Sequence, residues 1–97
     1  MGKDEAFRGL EAEFALERAR TLGRVAAGME RALAELRGWD PSSGVAREDL
    51  LASAAEWLWY YVVQRETMGF YRHEEAFRFY DVPDEAIARM GPRVRRA

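Results

Sequence analysis

The chain has no cysteine, one histidine, one lysine and three prolines in 97 residues. Without cysteine, disulfides, thiolate metal sites and cysteine nucleophiles are excluded. His73, the lone histidine, cannot build a zinc site of the usual ligands, nor the paired Glu-x-x-His units of a helical di-metal centre, so no metal or other cofactor is expected. There is no Gly-rich phosphate loop, no nucleophile-elbow serine and no possible triad, which points away from an enzyme. A basic excess is also missing: the net charge is −2, and nucleic acid is not the expected partner. The longest apolar run, Leu50 to Val63, is broken by Ser53 and Glu56; it is well short of the ~20 residues needed to cross a bilayer, so no membrane partner is expected. The N-terminus is charged from Lys3 and has no signal-peptide core, and Ala6 stands where a myristoylation motif needs Ser or Thr. A cytoplasmic location is the expectation.

What is present is 48% apolar and 33% charged sequence, the profile of one folded, highly charged domain spanning residues 1–97. Residues 3–37 hold no proline and are rich in the strong helix formers Ala, Glu, Arg and Leu, which predicts a single long helix. Ala12, Ala15, Ala19, Leu22, Ala26, Met29, Leu33 and Leu36 recur at spacings of three and four and form a heptad-like seam. Phe7, Leu10 and Phe14 start a neighbouring stripe, and Val25 broadens the seam. Gly23 and Gly28 fall mid-helix, where glycine either permits close packing or bends the chain. A 35-residue helix spans about 50 Å, whereas a compact chain of this size is roughly 32 Å across. Either the helix breaks or a second chain covers its overhang.

Residues 38–45, "GWDPSSGV", form the interhelix loop, with Asp40-Pro41 suited to cap a brief turn. A central helix over 46–68 follows, stopped by Gly69. A short helical pair over 69–92 comes next, the first from His73 to Tyr80 and the second opening after Pro83 and closed by Gly91-Pro92. A basic tail occupies 93–97. The fold class is therefore all-α, a long N-terminal helix, a central aromatic-rich helix and two short C-terminal helices, expected as a dimeric helical bundle.

Nine of the twelve aromatic residues lie between Trp57 and Tyr80. On the central helix, Leu51, Ala55, Leu58 and Val62 share one face and Leu50, Ala54, Trp57 and Tyr61 the next, a broad core surface to which Tyr60 is also assigned. Phe70, Tyr71, Phe77, Phe79 and Tyr80 are expected to join the same cluster. Trp59 falls on the more polar side with Glu56, Val63 and Glu66, and suits a subunit interface. The charges interleaved with these aromatics are mixed in sign, unlike the positive groove of a base-stacking platform. Residues 73–96 have the outline of a helix-turn-helix, but Phe77 and Asp81 stand where small residues belong, and the second helix opens with two acids.

The segment "AEWLWYYVVQRETMGFYRHEEAFRFYDVPDEAIARMGP", residues 55–92, resembles a small family of bacterial all-helical proteins carrying a domain of unknown function. The resemblance implies a bacterial, cytoplasmic setting and transfers no catalytic residue and no ligand.

The leading expectation is a helical interaction protein that pairs with itself as a homodimer through Ala12, Ala15, Ala19, Leu22, Ala26, Met29 and Trp59. The alternatives are a DNA-binding helix-turn-helix and a protein with an interhelical ligand pocket at Trp57, Tyr61, Arg65 and His73.

Overall fold

The computed structural model describes residues 3–91; the closing Pro92 and the basic tail with Arg93, Arg95 and Arg96 lie outside them. Among the described residues there are four α-helices, α1 (Lys3–Arg37), α2 (Arg47–Thr67), α3 (Glu74–Phe79) and α4 (Asp84–Ala88), one 3-10 turn (Pro41–Ser43) and no strand. The expected boundaries agree with these to within about a residue for the two long helices.

Helix α1 runs without a break through both mid-helix glycines. In the loop after it, Asp40 accepts hydrogen bonds from the Ser42 backbone N–H (2.9 Å) and hydroxyl (2.7 Å). Together they hold its carboxyl below the usual aspartate range. Trp39 Nε1 donates to the Val45 carbonyl (2.8 Å) and closes the loop. Helix α2 begins with Glu48 and Asp49, which favour the positive end of its dipole. It ends in a left-handed glycine, Gly69 (φ 88°), whose N–H donates to the Glu66 carbonyl while Phe70 N–H donates to that of Arg65. These are bonds that satisfy the last-turn carbonyls.

The loop turns α2 back antiparallel along α1. Gly28 meets Trp57, and at the far end Gln64 Nε2 reaches the Arg18 carbonyl at 3.4 Å. The core forms where the two helices overlap, from Met29, Ala32, Leu33 and Leu36 on α1 and Leu51, Ala54, Leu58 and Tyr61 on α2, with Ala86 of α4 completing it. Met29, Leu33 and Leu58 are the largest side chains fully withdrawn from solvent. Helix α4 is tied to the first turn of α2 by the pairs Arg47–Glu85 and Glu48–Arg89. Arg37, in the last turn of α1, donates to the carbonyls of Tyr80 (2.8 Å) and Asp81 (2.6 Å). It thus clasps the α3–α4 turn, where Asp81 is left-handed (φ 52°).

Two expectations about the aromatics are corrected. Tyr60 is 40% exposed, because it lies about 200° around α2 from Leu58 and α1 and α4 cover only the opposite side. Phe70, Tyr71 and Phe79 also stay outside the core. The first two lie in the non-helical link after Gly69, and Phe79 points away from its neighbour-but-one Phe77, which does pack on the core.

The mid-helix glycines differ in kind. A Cβ on Gly28 would sit 2.3 Å from the Trp57 ring, whereas one on Gly23 would meet nothing within 4 Å. Gly28 therefore permits a close approach of α1 to α2, and Gly23 is a cost without a contact. Gly23→Ala is expected to stabilise the fold by up to about 1 kcal/mol through helix propensity. Gly28→Ala is expected to destabilise it by about 1–2 kcal/mol, overpacking outweighing the propensity gain. Urea unfolding midpoints would show the opposite signs.

Candidate functional site

Two surfaces hold the residues that sequence reasoning marked. The first gathers where α2 ends and α3 begins. Arg65 Nε donates to His73 Nδ1 at 3.1 Å, and its Nη2 donates to the Arg72 carbonyl at 2.9 Å. The guanidinium also lies over the rings of Tyr61 (5.8 Å) and Phe70 (5.3 Å), a cation–π arrangement. Because His73 Nδ1 accepts, the neutral ring carries its proton on Nε2, which faces Glu66 Oε2 at 3.4 Å. Tyr61 packs edge-on against Tyr80 (5.6 Å between centroids), and His73 lies 6.0 Å from Phe77.

Tyr61, Arg65 and His73 thus lie together. Trp57 is not with them: it lies over Gly28 and meets Tyr60 edge-on at 5.9 Å. Arg65 Nε and Nη2 both tie the α2–α3 junction. Beside it, Arg65, Arg72, Glu74, Glu75 and Arg78 line an open concavity of about 550 Å³. Its three cations and two acids favour neither an anion nor a cation. Among the described residues no group of histidines and carboxylates is placed to hold a metal, and no helix is long and apolar enough to cross a membrane.

The second surface is the N-terminal part of α1. Helix α2 ends opposite Arg18, so α1 continues past it for about 15 residues, some 22 Å. From Asp4 to Arg20 every side chain is exposed, including Phe7 (62%), Leu10 (48%) and Phe14 (54%). The molecule measures 64 × 32 × 21 Å with a radius of gyration of 17.2 Å, against roughly 12–13 Å for a compact chain of this length.

Phe7, Leu10, Glu11, Phe14, Ala15 and Arg18 line an open concavity of about 530 Å³ on this segment. Each stands 18 residues before a residue that faces α2 or the core: Val25, Gly28, Met29, Ala32, Leu33 and Leu36. Eighteen residues are five full helical turns. The exposed stripe is therefore the same side of α1 that docks on α2, carried on beyond the end of α2.

The alanine seam meets this stripe at Ala15 and departs from it at Ala12 and Ala19. A spacing of 3.5 residues drifts about 20° per heptad around a straight helix. Leu22 and Ala26 are half-buried and Met29 is fully buried within the chain's own core, whereas Ala12, Ala15 and Ala19 are exposed. Trp59 is half-buried on the open side of α2 and packs on Tyr60, 5.5 Å away. Sequence reasoning named Phe7, Leu10 and Phe14 only as a neighbouring stripe. The signal that would have promoted them is the 18-residue correspondence with the core positions.

Fold and surfaces define a small all-helical protein built on an antiparallel helix pair with a projecting N-terminal helix. The model of a family of unknown function, DUF6665, matches residues 3–96, and the chain belongs to that family. No curated protein and no solved structure matches it.

Arg65→Ala is expected to lower stability by about 1.5–3 kcal/mol, the range for hydrogen bonds made by a charged group, and to speed amide exchange through α3. Arg65→Lys should restore little of this, since an ammonium lacks the guanidinium fork. Burial, with the neighbouring Tyr61 a lesser cause, raises the Tyr80 phenol above its usual value near 10. The folded state therefore holds this proton more tightly than the unfolded chain. The resulting stability is complete below pH ~10 and is lost as pH rises through the folded pKa. Tyr80→Phe should accordingly flatten the alkaline decline in stability measured by urea unfolding above pH 10.

Proposed function

We propose that this protein is a helical interaction protein that works as a homodimer, its function residing in an assembled surface rather than in a catalytic group. The observation that carries this reading is the projecting stretch of α1, whose Phe7, Leu10 and Phe14 are exposed on the face that elsewhere forms the core. An apolar stripe of this kind marks an interaction surface on a soluble chain. Ala12, Ala15 and Ala19, with Trp59 on α2, are further open positions such a partner could cover.

The resemblance to bacterial helical proteins supports a bacterial, cytoplasmic setting for it. The helix-turn-helix reading is less favoured. Helix α4 has five residues, its Ala86 is fully buried, and Glu85 and Arg89 are engaged by Arg47 and Glu48 of α2. An element held in this way is not free to enter a groove. The pocket reading has the concavity beside Arg65 in its favour, but its charges are mixed.

Light scattering at micromolar concentration is expected to return twice the chain mass of 11.2 kDa. Replacing Phe7 and Phe14 together by Ser should return the monomer while leaving the helical circular dichroism and the core intact. A wild-type protein that scatters as a monomer would overturn the reading.

A further inference from the structure

The open stripe on α1 has a definite shape, which limits what can fill it. It begins where α2 stops, opposite Arg18, and ends at the start of α1 about 15 residues earlier. A helix laid on it continues the line of α2, because the stripe and the α2-docking face are one side of the same helix.

From this geometry we infer that the occupant is the same N-terminal stretch of a second copy, running antiparallel, so that the two projecting segments lie side by side about a two-fold axis near Leu10–Glu11. The inference rests on the homodimer reading above and specifies its arrangement.

Three observations support it. The first is steric. A second α1 running parallel on this face would reach the segment beyond Arg18, where α2 already lies. Run antiparallel, it passes off the free end of α1 into open space, and its own α2 lies beyond that end. The second is length: the stretch left bare in each copy equals the stretch the other offers, so neither α2 obstructs the pairing.

The third is charge. Asp4, Arg8, Glu11 and Arg18 alternate in sign along one edge of the stripe. Antiparallel pairing sets Asp4 of one copy near Arg18 of the other, and it places Arg8 of each copy beside the two Glu11 carboxylates that meet near the axis. The N-terminal end of each α1, with Asp4 and Glu5 in its first turn, then meets the C-terminal end of the other copy's α2, with Arg65 in its last turn. The opposed ends carry helix dipoles of opposite sign. The interface is isologous and closes on itself, so it yields a dimer and not a filament.

The chain has no cysteine, so a single introduced cysteine can carry a spin label at one position per copy. Arg20 and Arg31 are exposed and lie on nearly the same side of α1. With the axis near residue 10 or 11, each residue moved along α1 separates the two labels by a further 3 Å or so. Double electron–electron resonance is expected to give about 35 Å for Arg20→Cys and about 65 Å for Arg31→Cys, after lateral offset. Adding Phe14→Glu to the labelled chain should abolish the dipolar signal. A dimeric protein whose two labels give similar distances, or under 40 Å at position 31, would overturn this arrangement while leaving the homodimer. Absence of any dipolar signal in labelled protein that carries only the introduced cysteine, at about 50 µM, would give the stripe to a different partner and overturn both.

Discussion

The antiparallel contact between α1 and α2 is what the rest of the molecule depends on. It is closed where the Trp57 ring lies over the bare Cα of Gly28. Close approach at that point lets Met29, Leu33 and Leu58 leave solvent entirely. It also positions the first turn of α2 to bind α4 through two ion pairs and the last turn of α1 to clasp the α3–α4 turn through Arg37. The short helices have five and six residues and would not persist alone in water. They are held by residues that the long pair places around them.

The same contact leaves a remainder. Helix α2 is 21 residues and α1 is 35, so one helix must outrun the other, and the excess lies entirely at the start of α1. A stretch of helix with every side chain exposed would ordinarily be polar all round, yet this one bears Phe7, Leu10 and Phe14 in line with the core face. The junction between α2 and α3 is a different kind of place. Its cation lies over two rings and donates to His73 and a carbonyl, a structural use of Tyr61, Arg65 and His73.

Much of the fold was legible from local chemistry. The proline-free run 3–37, the Asp40-Pro41 cap, the glycine stop at 69 and the Pro83 start each reflect a preference set within a few residues. Periodicity also located the buried parts of the two long helices. The assignment of Tyr60, Phe70, Tyr71 and Phe79 to the core failed, because exposure depends on how many neighbours a segment has and not on the residue's own hydrophobicity. Of the marked residues at the α2–α3 junction, three came together because the spacing of Tyr61 and Arg65 is one helical turn and Gly69 reverses the chain to bring His73 back. Trp57, one turn further away, was drawn off to α1 by the space over Gly28.

The sequence by itself determined that the chain is all-helical, where its helices start and stop, and that α1 is too long for a compact domain of this size. These follow from propensity, capping and the fixed rise per residue, all local quantities. Only the tertiary structure decided which glycine of α1 admits a neighbour, that α2 ends opposite Arg18, and that the bare stripe of Phe7, Leu10 and Phe14 continues the docking face. Those are matters of register between two helices distant in sequence. Register is set by the packing of Trp57 on Gly28 and of the buried leucines, which no single helix encodes alone.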